Sequence, residues 1–194
     1  AVEILTLAET MGLSTAFSRA DAMKPCPIGS DGLCCKNCSM GPCRLVKPGA
    51  RGICGATIET VVSRNLARAI AAGASAHSDH GRDLAFTLLA VAQGEAQGYE
   101  VRDEAKLMTV AGYMGIKTEG RSIKDITLDV ANVAVAQFGQ QKGELIYTKR
   151  APKKRQELWK QLGITPRGID REVVEVLHRT HMGDDQDANH ILLA

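Results

Sequence analysis

Six cysteines fall between positions 26 and 54, in the stretch CPIGSDGLCCKNCSMGPCRLVKPGARGICG, and none follows. A disulfide scaffold spreads its bridges through the fold, whereas thiols crowded into one loop-rich segment point to metal. Cys35, Cys38, Cys43 and Cys54 are separated by two, four and ten residues. A cubane 4Fe–4S cluster needs four converging thiolates, with a close pair for local geometry and a more distant cysteine to close the loop. A Cys₄ zinc site is the competing reading. Zinc prefers two separated close pairs; Cys35–Cys38 fits such a doublet and Cys43–Cys54 does not.

Cys26 and Cys34 remain. Side chains of neighbours diverge, so Cys34 and Cys35 are not expected in one cage. Two thiolates do not complete a four-ligand site, but an isologous interface repeats each residue across its axis. This arithmetic predicts a homodimer bridged by a shared cluster, against the plainer alternative of two free or buried thiols. Gly29, Gly32, Gly41, Gly49, Gly52 and Gly55 are expected to give tight turns that aim N–H groups at sulfur. Lys36, Arg44, Lys47 and Arg51 add positive charge that favours a reduced cluster.

The elements that must carry these loops read as helices. Thr57–Gly73 places Ile58, Val61, Val62, Leu66 and Ile70 at helical spacing, with Gly73 as its end. His77–Gly94 sets Leu84, Leu88 and Val91 on one stripe. Asp103–Met114 forms a third helix, with acid in its first turn. Ser122 caps a fourth, running to about Phe138. Pro152 stands at the first position of a fifth, KKRQELWKQL, closed by Gly163. Asp170 caps a sixth, REVVEVLHRTHM, closed by Gly183. Alternating strand patterns are nearly absent, so the expected class is all-α. Residues 1–194 read as a single helical domain, with a cluster-binding segment at 21–56 and a bundle at 57–194.

The 194 residues carry 24 Lys and Arg against 22 Asp and Glu, a net charge of +2. That balance leaves no electrostatic footprint for nucleic acid. The basic run Lys149–Arg155 reads as a solvated helix entrance or, less simply, as a patch for an anionic partner. No stretch has the apolar length to cross a bilayer, and no export signal is visible, so a cytoplasmic protein is expected. The chain opens without Met on the amphipathic AVEILTLAETMG and stops on the apolar Ile191–Ala194. It therefore reads as a piece of a longer subunit.

The runs GLCCKNCSMGPCR, RGICGA and SRNLARAIAAGASAHSDHGRD, followed by YEVRDEAKL and RTHMGDDQD, resemble the amino-terminal helical domain of anaerobic nickel-dependent carbon monoxide dehydrogenases. The resemblance covers nearly the whole chain. It implies an oxidoreductase that interconverts CO + H₂O and CO₂ + 2H⁺ + 2e⁻. It also implies that Cys35, Cys38, Cys43 and Cys54 hold a 4Fe–4S B-cluster, and that Cys26 and Cys34 join the same pair of a second subunit around a D-cluster, 4Fe–4S or 2Fe–2S. Ligands of the nickel–iron–sulfur C-cluster belong to later Rossmann-like domains, so this segment alone should not turn over CO. A ferredoxin-like acceptor is implied, with an acetyl-CoA synthase subunit as a further partner in part of the family. Hybrid-cluster proteins resemble the chain less well: their cysteine spacing differs and they lack the His77–Arg82 run.

His77 and His80 stand three apart, on one face of a helix, and histidine suits proton exchange near neutral pH. By themselves two such residues read as capping or core hydrogen-bond formers. The resemblance makes His77 an acid/base beside the nickel centre and His80 the start of an outward relay. The fullest family pattern continues that relay at later i+3 steps, where this chain has Asp83 and Phe86. His178 and His181, beside Asp184, Asp185 and Asp187, fit either a metal site or a helix C-terminus decorated with cations.

Overall fold

The computed structural model describes residues 2–194. Its elements are α1 (Val2–Thr10), α2 (Ala16–Met23), α3 (Pro27–Ser30), β1 (Cys34–Cys35), β2 (Cys43–Arg44), α4 (Ile58–Gln93), α5 (Glu104–Tyr113) and α6 (Ile123–Gly139). A 3₁₀ turn at Ile146–Arg150 precedes α7 (Lys153–Leu162), α8 (Ile169–Arg179) and α9 (Ala188–Leu193). The protein is helical, with one two-residue antiparallel ribbon ahead of the main helices. Among the described residues no helix is long and apolar enough to cross a membrane.

Helix α4 organises the rest. At 36 residues it runs about 54 Å at 1.5 Å per residue. Thr57 begins it, its hydroxyl accepting the Thr60 amide, and Gly94 ends it in the left-handed conformation with φ +79°. The break expected between Gly73 and His77 is not there. A glycine inside a helix costs about 1 kcal/mol relative to alanine, too little to stop one that is flanked by Ala71, Ala72, Ala74 and Ala76, is buried on either side of that exposed stretch at Ala71 and Ala85, and packs on α6, α8 and α9.

Helices α5 and α6 join α4 in an apolar core. Leu107 and Ala111 pack on Ile126 and Val130, and Leu88 of α4 closes the cluster. Side-chain caps fix the starts: Asp103 accepts the Lys106 amide and Ser122 the Asp125 amide, each worth about 1 kcal/mol. Helix α8 is clamped to α4 by Arg82, whose guanidinium bonds both Asp170 oxygens at 2.6 and 2.7 Å and lies over the Phe138 ring.

That clamp corrects one expected cap. The Asp170 carboxylate serves Arg82 rather than the backbone, Gly168 takes the N-cap position, and α8 starts at Ile169. Its end also comes early, at Arg179 instead of the Met182–Gly183 region. Thr180 turns into the interior, where its carbonyl accepts from Asn37 and its hydroxyl from Arg68. Pro152 is the residue before α7 rather than its first turn. The basic run is partly structural, because Arg150 stacks on Tyr113 with 3.7 Å to the ring centroid.

Ile126 is wholly buried between α5 and α6, away from the cysteines. Ile126→Ala should cost about 2–5 kcal/mol, read as a lowered denaturation midpoint, with helical circular dichroism unchanged at low temperature.

Candidate metal centre

The cysteine segment is built around the ribbon. Cys35 lies opposite Cys43, and Cys34 opposite Arg44. Successive strand residues point to opposite sides, so Cys35 and Cys43 share one side while Cys34 and Arg44 take the other. The amide of Leu45 donates to the Leu33 carbonyl at 3.0 Å and extends the pairing by a rung. Leu45, Ala56 and Val61 form the apolar floor, with Cys35, Cys43, Cys54 and Ile58 packed against it.

On that side Cys35, Cys38, Cys43 and Cys54 line one small hollow. Asn37, Gly52, Arg64 and Met182 complete the lining. Among the described residues no three Cys, His, Asp or Glu side chains are grouped closely enough to chelate a single ion. All six cysteines are free thiols.

Two glycines matter for close approach. A Cβ on Gly41 would meet the Cys35 carbonyl oxygen and the Cys43 amide nitrogen, both at 3.2 Å. A Cβ on Gly52 would project into the hollow 3.6 Å from the Cys43 sulfur. Gly29, expected to share this role, has open space around it. The amide of Ile53 donates to Cys43 Sγ at 3.4 Å.

The far wall comes from the other end of the chain. Arg64, in the first turns of α4, is fully buried. One terminal nitrogen donates to Cys54 Sγ at 3.7 Å and the other to the Asp185 carbonyl at 2.7 Å. Gln186 donates to the Cys54 carbonyl, and its own carbonyl accepts from Thr60 at 2.7 Å. Asn37 reaches the Thr180 carbonyl at 2.8 Å. Burial pushes the Cys54 thiol up, but the Ala56 amide, Arg64 and Gln186 outweigh it and hold the thiol below its ordinary pKa.

Arg64 also tests whether these residues suit an anionic group. Its Nε is buried with no hydrogen-bond partner, and among the described residues it makes no ion pair. A buried cation without a counter-charge is strongly unfavourable. Thiolates, or a cluster bound by them, supply the anion that the protein itself does not. The donor set, the hollow and the uncompensated charge fit such a group.

Cys26 and Cys34 do not line this hollow. Cys26 is exposed at the start of α3. The backbone amides of Gly29 and Ile28 lower its pKa without making a full capping hydrogen bond, and Arg44 and Lys36 add to the effect. Asn65 fixes the Cys34 backbone, donating to the Gly32 and Cys34 carbonyls at 2.8 and 3.1 Å.

His77 and His80 are exposed on α4. At 100° per residue they fall on one stripe with Val62, Leu66, Ile70, Gly73 and Leu84, and each of those four large apolar side chains is exposed, Leu84 at 70%. His178 Nε2 meets Asp184 Oδ1 at 3.0 Å at the end of α8, an exposed pair without further ligands. Arg64, Asn65 and Gln186 were not singled out in the sequence; their signal was membership of the SRNLARAIAAG and RTHMGDDQD runs.

Four thiols line one hollow at the head of a long helix, beside a buried arginine without a counter-charge, and that donor set fits an inorganic cofactor. The chain belongs to the Prismane/CO dehydrogenase family, whose model matches residues 33–194. It is 49% identical over 194 residues to carbon monoxide dehydrogenase 1 of Methanosarcina acetivorans, covering 98% of this chain and 31% of that protein. A nickel-free carbon monoxide dehydrogenase from Thermococcus sp. AM4 superposes with a TM-score of 0.89 at 44% identity, over 98% of this chain and 31% of that one. An acetyl-CoA synthase/carbon monoxide dehydrogenase structure with NiZn[Fe4S4] and NiNi[Fe4S4] clusters in its alpha subunits gives 0.89 at 37%, covering 98% and 29%. The chain thus spans about 31% of the length of the curated relatives it matches.

Gly41→Ala forces a methyl against two backbone atoms of the ribbon. Anaerobically purified variant should contain markedly less iron per chain than wild type, while helical circular dichroism stays the same.

Proposed function

We propose that this chain is the electron-transfer and dimerisation portion of a nickel-dependent carbon monoxide dehydrogenase. In this reading Cys35, Cys38, Cys43 and Cys54 hold a 4Fe–4S B-cluster, and Cys26 and Cys34 contribute half the ligands of a D-cluster, 4Fe–4S or 2Fe–2S, shared with a second copy. When bound, the clusters supply one-electron transfer, passing electrons from a C-cluster held elsewhere in the complete enzyme to a ferredoxin-like acceptor. Residues 1–194 act as one domain, in the cytoplasm of an anaerobe. An acetyl-CoA synthase subunit is a further partner to look for, since one structural relative is named for both activities.

The observation that carries this reading is the pairing of Cys35 with Cys43 while Cys34 pairs with Arg44. It turns Cys34 away from the side that Cys35 and Cys43 share, which supports the division into an inner four and an outer two that spacing suggests. The two, four and ten residue spacing of the inner cysteines favours a multi-iron cage over zinc, whose sites prefer two separated close pairs. The named relatives above favour carbon monoxide dehydrogenase over a hybrid-cluster protein.

His77 is the proposed acid/base. It stands in an exposed apolar stripe of α4, the kind of face that a longer protein covers. Once covered, an imidazole there meets little water and can take up a proton released by CO oxidation. His80, three residues on, is placed to pass it outward; Asp83 or water follows, since Phe86 carries no proton.

Two experiments test these assignments in the complete protein. Replacing Cys26 and Cys34 together with Ser should remove one cluster per dimer, by iron and sulfide analysis, and weaken dimerisation in sedimentation. Loss of all iron, or stoichiometric zinc in wild type, would sink the ligand partition. His77→Ala should slow CO oxidation about 10²–10⁴-fold, the usual contribution of a placed proton-transfer group, with cluster content unaltered.

A further inference from the structure

Five arginines and lysines stand around the cysteine cage, and they differ in one respect. Lys36, Arg44, Lys47 and Arg51 are exposed, so water and salt screen their charge. Arg64 is fully buried, donates to Cys54 Sγ, and has an Nε with no partner at all. No carboxylate of the described residues pairs with it; its second terminal nitrogen is taken by a neutral carbonyl, that of Asp185.

We infer that Arg64 is the residue that sets the reduction potential of the cluster held by Cys35, Cys38, Cys43 and Cys54, through a full positive charge kept dry against the Cys54 sulfur. This rests on the cluster assignment above. One-electron reduction adds a negative charge to the cage. A cation at hydrogen-bond distance, in a medium of low effective dielectric, favours the more negative state far more than a surface cation does. The N–H···S bond acts in the same direction, because hydrogen bonds to cluster sulfurs are among the factors that fix such potentials. Arg64 is therefore a positioning and charge-compensating group that acts through Cys54. Its bond to Asp185 ties the same guanidinium to the segment from Thr180 to Gln186, which also bonds Asn37 and the Cys54 carbonyl.

The test is an EPR-monitored redox titration of the complete, iron-loaded protein as wild type, R64Q and R64K. R64Q, which removes the charge, should keep iron and sulfide while the midpoint of this cluster moves to more negative potential. R64K, which keeps the charge and loses the fork, should remain closer to wild type than R64Q does. A fully loaded R64Q with an unmoved midpoint overturns the inference, as does an equal shift in both variants, which would mean geometry rather than charge. If R64Q assembles no cluster, wild-type protein labelled with ¹⁵N-arginine decides: a ¹⁵N coupling to the reduced cluster by pulsed EPR upholds the contact, and its absence overturns it. Failure of the cluster assignment itself looks different, as wild-type protein without iron or sulfide.

Discussion

Consecutive residues of an extended strand point to opposite sides, so Cys34 and Cys35 cannot serve a common site while β1 stays paired with β2. Everything proposed for the metal chemistry depends on this small constraint. The ribbon has only four residues and would be marginal alone. It persists because the Leu33–Leu45 bond lengthens it, Asn65 of α4 holds the Cys34 carbonyl, and Leu45 is buried against Val61. The two-faced sulfur arrangement is thus enforced by the helix on which it sits.

That helix has a polar interior at one end only. Thr60 and Arg64 are both buried, and both bond to backbone carbonyls of the Asp185–Gln186 stretch. Further along, its buried residues are Ala67, Ala71, Ala85 and Ala92, small side chains that let α6, α8 and α9 come close. The cage is consequently stiff: its floor, its near wall and its far wall come from three parts of the chain joined through one helix turn.

Much of this was legible in the sequence, and the failures have physical causes. The cap at Ser122 and the stop at Gly163 depend on local chemistry and are where the pattern put them. The inner cysteines could be grouped because their spacing is short. Gly73 misled because a weak local preference lost to packing with distant helices. Asp170 misled because a residue of capping type found a stronger partner in Arg82, 88 positions away. Arg64 and Gln186 carried no signal beyond membership of the SRNLARAIAAG and RTHMGDDQD runs; their roles arise from contacts to Asp185 and Cys54 across 121 and 132 positions.

The uninterrupted run of α4 also fixes a phase. Arg64 and His77 lie on the same helix thirteen positions apart, about 20 Å along its axis. Adding or removing a single residue between them would rotate one against the other by about 100°, swinging the imidazole off the apolar stripe or the guanidinium away from Cys54. Substitutions within that stretch leave the alignment intact, whereas a change in its length does not.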